Sequence, residues 1–307
     1  MARRFSRDCL RIPTASKDVF LHVWLYKPEG DGPFPVVIAG HGLSVTKEAG
    51  LGVFGEKWAN EAAFASIIFD YRFFGESDGQ PRNLAVYSKQ LEDYKSVLRW
   101  VRERPNEFKN DKIVIMGSAT SGINVVNLAL NDPGLAGAMM HSPILDGYAT
   151  ITALPFNARL MFWATVDLIK EKLGLAPVFI RAVGRPGEFA FLTTPSSYPG
   201  FEQMFSQGSI PFSEAPNLLT PRVVYELLGA SARPGLQLNQ VLCKTLVVSA
   251  RDDDCIPIQI ARNLVAAAPE KVVYVELPCG HYDVMQGGKG FDDNVKAQIS
   301  FLQSLLN

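Results

Sequence analysis

The 307-residue sequence predicts an α/β fold: a mostly parallel, doubly wound sheet with an inserted, largely helical lid. Three observations carry that expectation. Short apolar runs, most of them rich in β-branched residues, recur at Pro35–Ala39, Ser66–Phe69, Ile113–Met116, Leu135–Met140, Thr245–Ser249 and Val272–Leu277. Such runs are the pattern of strands buried on both faces. Segments with helical spacing alternate with them, as parallel strands require. The alternation stops between Ile144 and about Gln240 and then resumes, which marks an insertion.

Taken in order, Cys9–Ala15 and Val19–Tyr26 read as two strands joined by a Ser-Lys-Asp turn. His22 alternates among apolar residues there and is expected to be structural. Lys27–Phe34 is a Pro/Gly loop. Pro35–Ala39 runs into Gly40-His41-Gly42-Leu43, and Val53–Ala63 has helical spacing. Ser66–Phe69 ends in the loop Asp70–Gly79. Leu84–Arg104 carries Leu91, Tyr94, Val97, Leu98 and Val101 on one stripe and is stopped by Pro105. Leu135–Met140 closes with His141-Ser142-Pro143.

Residues 1–143 are thus expected to form the first part of the core, 144–240 the lid and 241–307 the second part. The lid is rich in Pro, Gly and aromatics: Phe156, Phe162, Trp163, Phe179, Phe189, Phe191, Tyr198, Phe201, Phe205, Phe212 and Tyr225. Ala158–Leu173 and Arg222–Leu228 read as helices within it. Most of the aromatics are expected to build the lid's own core, and a few to line a pocket. After Thr245–Ser249 come the cluster Arg251-Asp252-Asp253-Asp254 and a helix from Gln259 to Ala268. Val272–Leu277 leads into Pro278-Cys279-Gly280-His281-Tyr282-Asp283, and a helix over Asp292–Leu306 closes the chain.

Composition narrows the function. With 47% hydrophobic and 20% charged residues the chain has a sizeable core, and a net charge of −1 advertises no basic face for nucleic acid or anionic lipid. Met1–Asp8 is charged and lacks an apolar segment, so it does not read as a secretory signal. No apolar run approaches the ~20 residues that span a bilayer. Cys9, Cys243, Cys255 and Cys279 show neither paired nor metal-type spacing, which suggests reduced thiols and a cytoplasmic location. The four histidines are scattered and no glycine-rich phosphate loop is present, so no metal and no cofactor are expected.

The informative stretch is Asp111–Gly122, Asp-Lys-Ile-Val-Ile-Met-Gly-Ser-Ala-Thr-Ser-Gly. An apolar strand meets a turn of small residues and then a helix-like run, Ile123–Leu130. This is the setting of a nucleophile elbow, whose central residue is strained and tightly flanked. Gly117 lies two before the centre, and Ser121 and Gly122 two and three after it. The centre is Ala119, where Ser or Cys is expected.

Other polar residues fall at strand ends, where open α/β sheets collect function. An acid follows one late strand and His281 follows the last, giving the chain order nucleophile position, acid, His. A hydroxyl nucleophile is inert until a base takes its proton, which is a task for His281. A carboxylate must then orient the imidazole. Asp252, Asp253 and Asp254 compete for that role, and Asp253, four before Pro257, is preferred. The N–H groups of Leu43 and Thr120 are the candidate oxyanion donors. His41 is expected to pack beneath the site. Ser118, Phe73, His141, Phe162 and Tyr282 join His41 as candidate substrate-binding residues.

On these pieces the core, Pro35–Pro143 and Lys244–Leu306, resembles the α/β-hydrolase superfamily. The lid segment Val183–Ala190 and the Gly117–Gly122 elbow narrow the resemblance to dienelactone-hydrolase-like and polyketide-transferase-like enzymes of fungal secondary metabolism. That resemblance implies acyl transfer on esters or thioesters of polyketide type. The aromatic lid adds the expectation that the small-molecule substrate is large and apolar, an acyl chain on a carrier being one form.

Ala119 departs from the pattern, since a methyl group cannot attack. Two accounts fit: a variant inactivated by replacing the serine, or a natural protein that has lost it. Retention of His281, Asp253 and the small elbow residues favours the first. Two other classes stay open. One is a cyclase or condensation catalyst that uses His281 and Asp253 as a general base. The other is a binding protein for a small apolar ligand.

Overall fold

Among the described residues, eight strands form one sheet. In chain order they are β1 Phe5–Pro13, β2 Phe20–Pro28, β3 Phe34–Gly40, β4 Ala65–Phe69, β5 Phe108–Ser118, β6 Gly137–His141, β7 Lys244–Ala250 and β8 Val272–Leu277. The sheet order is β1-β2-β4-β3-β5-β6-β7-β8. β1 and β2 form an antiparallel hairpin, β2 runs antiparallel to β4, and all the remaining pairs are parallel. The structure, a computed structural model, describes residues 5–206 and 208–306. Met1–Arg4 of the charged N-terminal stretch, with residues 207 and 307, lie outside it.

The apolar runs are the central strands. Val36, Val37 and Ile38 are consecutive and none is exposed, so both faces of the sheet are covered. Two helix pairs do much of the covering. They are α1 Gly52–Lys57 with α9 Phe291–Ser304, and α2 Tyr87–Arg102 with α3 Ser121–Asn131. In α2 the stripe Tyr94, Val97, Leu98 and Val101 is buried. α8, Ile258–Ala266, packs against β7.

Three boundaries differ from expectation for physical reasons. β1 begins at Phe5 rather than Cys9, because the ladder to β2 continues to Phe5↔Pro28 beneath exposed charged side chains. β5 begins at Phe108, held by its pairing with Phe34. The helix expected over 53–63 is α1 followed by a π-helical turn, Trp58–Ala62. Ala63, at φ 59°, then adopts the left-handed conformation that ends it.

Between β6 and β7 helices alternate with irregular chain: α4 Gly147–Ala153, α5 Ala158–Lys172, α6 Ser197–Ser206 and α7 Val223–Leu228, with two short 3₁₀ segments after them. Side chains cap the first two. Asp146 accepts from the Ala149 N–H and Asn157 from the Leu160 N–H, each at 3.0 Å. Tyr198, Phe201 and Phe205 gather around Phe212. Phe156 and Phe162 instead point to the surface.

The four cysteines are free thiols, and only Cys9 is exposed. No helix among the described residues is long and apolar enough to cross a membrane.

Candidate functional site

β5 hands directly to α3 through Ala119 and Thr120. Ala119 has φ 47°, in the left-handed region that costs a side-chain-bearing residue roughly 1–2 kcal/mol. The turn is held from both sides. The Ala119 N–H donates to the His141 carbonyl at 3.1 Å, and the Ala119 carbonyl accepts from Gly122 at 3.0 Å and Ile144 at 2.9 Å. Gly117 and Gly122 are required by close approach. A Cβ on Gly117 would lie 2.8 Å from the Ser121 carbonyl oxygen, and one on Gly122 would lie 2.7 Å from Pro143 Cβ.

Beneath the turn, Ser121 Oγ donates to the His41 carbonyl, which leaves the Tyr71 hydroxyl to donate to Ser121 at 2.6 Å. Tyr94 donates to the Met116 carbonyl at 2.5 Å. These bonds tie the loop after β3 to the elbow.

That loop is Gly40–Gly50. His41 is buried under it, where Nδ1–H donates to the Gly42 carbonyl at 2.9 Å and Nε2 accepts from the Tyr71 N–H at 3.3 Å. Burial lowers its pKa, so the ring is a neutral spacer. Leu43 and Thr120 border the cavity above Ala119, and among the described residues their N–H groups meet no protein acceptor. Gly42 makes room: a Cβ there would sit 3.3 Å from the Ala119 methyl.

Lys47 anchors the far end of the loop. Its side chain is fully buried, with Nζ 2.6 Å from Asp70 Oδ2 and 3.0 Å from Glu76 Oε2. Its backbone N–H also donates to Asp70 Oδ1 at 2.8 Å.

The end of β7 supplies the acid and the end of β8 the histidine. Asp253 Oδ1 accepts from the Cys255 and Ile256 N–H groups at 2.8 and 2.7 Å. That fixes Oδ2, 2.6 Å from His281 Nδ1. Its neighbours are engaged elsewhere. Asp254 accepts from Ser196, and exposed Asp252 lies 3.6 Å from Arg251. Burial works against charge on His281, but the Asp253 carboxylate and its hydrogen bond outweigh it, and the pKa is raised. With Nδ1 occupied, Nε2 is the nitrogen left for the cavity that His281 borders.

Among the described residues, two clusters could suggest a metal, Asp253/Cys255/His281 and His22/Asp70/Glu76. In the first, His281 Nδ1 is already turned onto Asp253, whose other oxygen is taken by two N–H groups. In the second, the Lys47 ammonium is itself the cation.

The cavity encloses about 740 Å³, open solvent at its mouth included. Ser118, Ala119, Thr120, Leu43, His141, His281 and Tyr282 all border it. His41, Phe73 and Phe162 do not. His41 lies underneath. Phe73 is folded against Gly79 in the Asp70–Gly79 loop. Phe162 is 60% exposed on α5. The sequence did not single out Val45, Ile144, Ile151, Leu154, Met204, Leu227 or Met285, which line the cavity beside Ser142, Thr150 and Cys255, whereas Phe191 and Phe201 come from the lid aromatics, a few of which were expected to line a pocket.

Comparison with known proteins agrees with this architecture. The model of the X-Pro dipeptidyl-peptidase (S15) family matches residues 17–172. The quorum-quenching protein AidA of Acinetobacter baumannii is 29% identical over 95% of this chain and 93% of its own. The polyketide transferase af380 of Aspergillus fumigatus is 25% identical over 98% and 99%. Among solved structures, DcsB in complex with its substrate analogue superposes with a TM-score of 0.78 at 22% identity, covering 97% of this chain and 99% of that one. The α/β hydrolase GrgF from Penicillium gives 0.75 at 21% identity, covering 97% and 98%. With a family match over just over half of the chain, an elbow at the end of β5 and a largely parallel eight-stranded sheet, the chain belongs to the X-Pro dipeptidyl-peptidase (S15) family of the α/β-hydrolase superfamily.

Proposed function

We propose that this site is built for acyl transfer through an acyl-enzyme, on an ester or thioester of a large, apolar, polyketide-like compound, and that Ala119 marks the nucleophile's position. The observation that supports this most is the joint placement of Ala119, His281 and the Leu43 and Thr120 N–H groups around one cavity, with Asp253 behind His281. A left-handed, tightly flanked Ala is a costly way to make an ordinary turn.

With serine at position 119, Oγ attacks the substrate carbonyl carbon while His281 Nε2 takes its proton. The carbonyl oxygen becomes an oxyanion between the Leu43 and Thr120 N–H groups. Collapse breaks the bond to the alkoxide or thiolate, which leaves with the proton from His281. Water or a second acceptor then repeats the sequence on the acyl-enzyme. Residues 144–240 act as a lid whose apolar wall receives the acyl chain. With Ala119 the first bond cannot form, so the chain binds without turning over by this route.

The names of the relatives fit this chemistry without choosing a substrate: a thiohydrolase, aneE of Aspergillus aculeatus, stands beside the transferase. The test is turnover of chromogenic esters and acyl thioesters by the chain and by Ala119→Ser. Turnover confined to the serine form supports the reading. Turnover by the Ala119 form that is lost on His281→Ala would replace it with general-base catalysis.

A further inference from the structure

His141 ends β6, beside Ser118 in the β5–β6 register, and no step above uses it. Its ring is completely buried, yet it borders the cavity. The hydrogen bonds behind the ring determine which nitrogen carries the proton. Trp58 Nε1–H can only donate, so the Gln298 atom 3.0 Å from it is the amide oxygen. The Gln298 nitrogen therefore faces the other way, 2.8 Å from Asn294 Oδ1 and 3.4 Å from His141 Nδ1. The Val284 carbonyl can only accept, so the Asn294 atom 2.9 Å from it is the amide nitrogen. That nitrogen also lies 3.1 Å from His141 Nδ1. An indole at one end and a carbonyl at the other prevent either amide from flipping.

His141 Nδ1 thus faces two donors and must accept. Burial, with His281 as a lesser cause, lowers the ring's pKa to about 3, so it is neutral and its single hydrogen sits on Nε2. Nε2 is buried and, among the described residues, has no hydrogen-bond partner. Gln298, Asn294 and Phe54, whose ring is 5.2 Å away, pack against the ring with Trp58 behind Gln298, and none of the four borders the cavity, whereas His141 itself does.

We infer that His141 Nε2–H is a fixed neutral donor for an acceptor oxygen of the bound compound, in a cavity whose wall also includes Val45, Val284 and Met285. The substrate class is then an acyl compound with a second oxygen, beyond the reacting carbonyl, on its apolar body. This rests on the cavity being the substrate site.

Two measurements on the Ala119 chain test it. Nitrogen-15 NMR of the His141 ring is expected to show the neutral Nε2–H form throughout the neutral pH range; a proton on Nδ1 overturns the inference. Affinities for ethyl decanoate and a series of its keto-substituted counterparts are then compared. At least one keto ester should bind about tenfold more tightly, and His141→Phe should erase that preference. Equal binding across the series, or a preference that survives His141→Phe, overturns it. The NMR result stands even if that variant does not fold. Loss of the acyl-transfer reading would show separately, as an inactive Ala119→Ser form with the keto preference intact.

Discussion

The Asp254 carboxylate accepts a hydrogen bond from the Ser196 N–H at 3.0 Å, so the turn that presents Asp253 to His281 also anchors the first turn of α6. Two adjacent acids thereby serve different elements. In the Ala119→Ser background, Asp253→Asn should lower kcat by about 10³–10⁴, because the imidazole loses its orienting carboxylate. Asp254→Asn should change kcat less than about tenfold while raising KM for bulky esters, because it loosens the lid. Steady-state kinetics on one bulky ester separates the two, and equal losses would show that both acids act on His281.

The raised pKa of His281 sets a pH dependence. The base must be neutral, so kcat/KM of Ala119→Ser should rise with pH and reach half its maximum above ~6.5, the ordinary imidazole value. The linkage sign follows. A folded pKa above the unfolded one gives stability that is full below ~6.5 and lost as pH rises through the folded value. His281→Gln should therefore cost more stability near pH ~5.5 than near pH ~9. His141 works the other way. Its value of about 3 means that only the unfolded chain takes the proton, so stability falls as pH drops from ~6.5 towards 3. Denaturant titrations across pH check both, and an activity limb centred below ~6.5 would contradict the first.

Lys47 and Asp70 form an ion pair with neither side chain exposed to solvent. Removing one charge strands the other, so Lys47→Met should cost about 3–5 kcal/mol. It should also weaken activity in the Ala119→Ser form, since the Leu43 N–H is carried on the same loop. A loss under about 1 kcal/mol in denaturant unfolding would mean that water or a neighbour takes over the Asp70 charge.

Ala119 stores backbone strain that glycine would not. Ala119→Gly should stabilise the chain by about 1 kcal/mol, and Ala119→Ser should leave stability nearly unchanged. Thermal unfolding of the three forms measures this. A glycine form less stable than the parent would show that the turn is relaxed.

The sheet was legible because its central strands are buried on both faces and so read as uninterrupted apolar runs; Val272–Leu277 matches β8 residue for residue. The convergence at the strand ends followed from the same reading. Asp252, Asp253 and Asp254 are the same chemistry one residue apart, so the sequence offered only the spacing to Pro257 in favour of Asp253; the backbone N–H groups that hold its Oδ1 and the bond from its Oδ2 to His281 are tertiary features that spacing does not carry. The lid was harder. α6 opens with Ser197-Tyr198-Pro199-Gly200, which reads as a breaker. Pro199 is tolerated in a first turn, and Gly200 is there because a Cβ would meet the Tyr282 ring at 2.2 Å. Phe162 has the residue type of a cavity wall, but helix rotation puts it in solvent, and no local pattern carries that information. The Trp58–Gln298–Asn294 chain behind His141 joins residues up to 240 apart in sequence, so spacing could not show it.

The most direct test of the central claim is covalent capture at position 119. Ala119→Ser is mixed with a slow acyl thioester, quenched early, and its elbow peptide is weighed by mass spectrometry. The account predicts the acyl mass on that peptide, absent from the Ala119 chain and from Ala119→Ser carrying His281→Ala. Turnover by Ala119→Ser with no acyl adduct on the elbow under single-turnover conditions would contradict it.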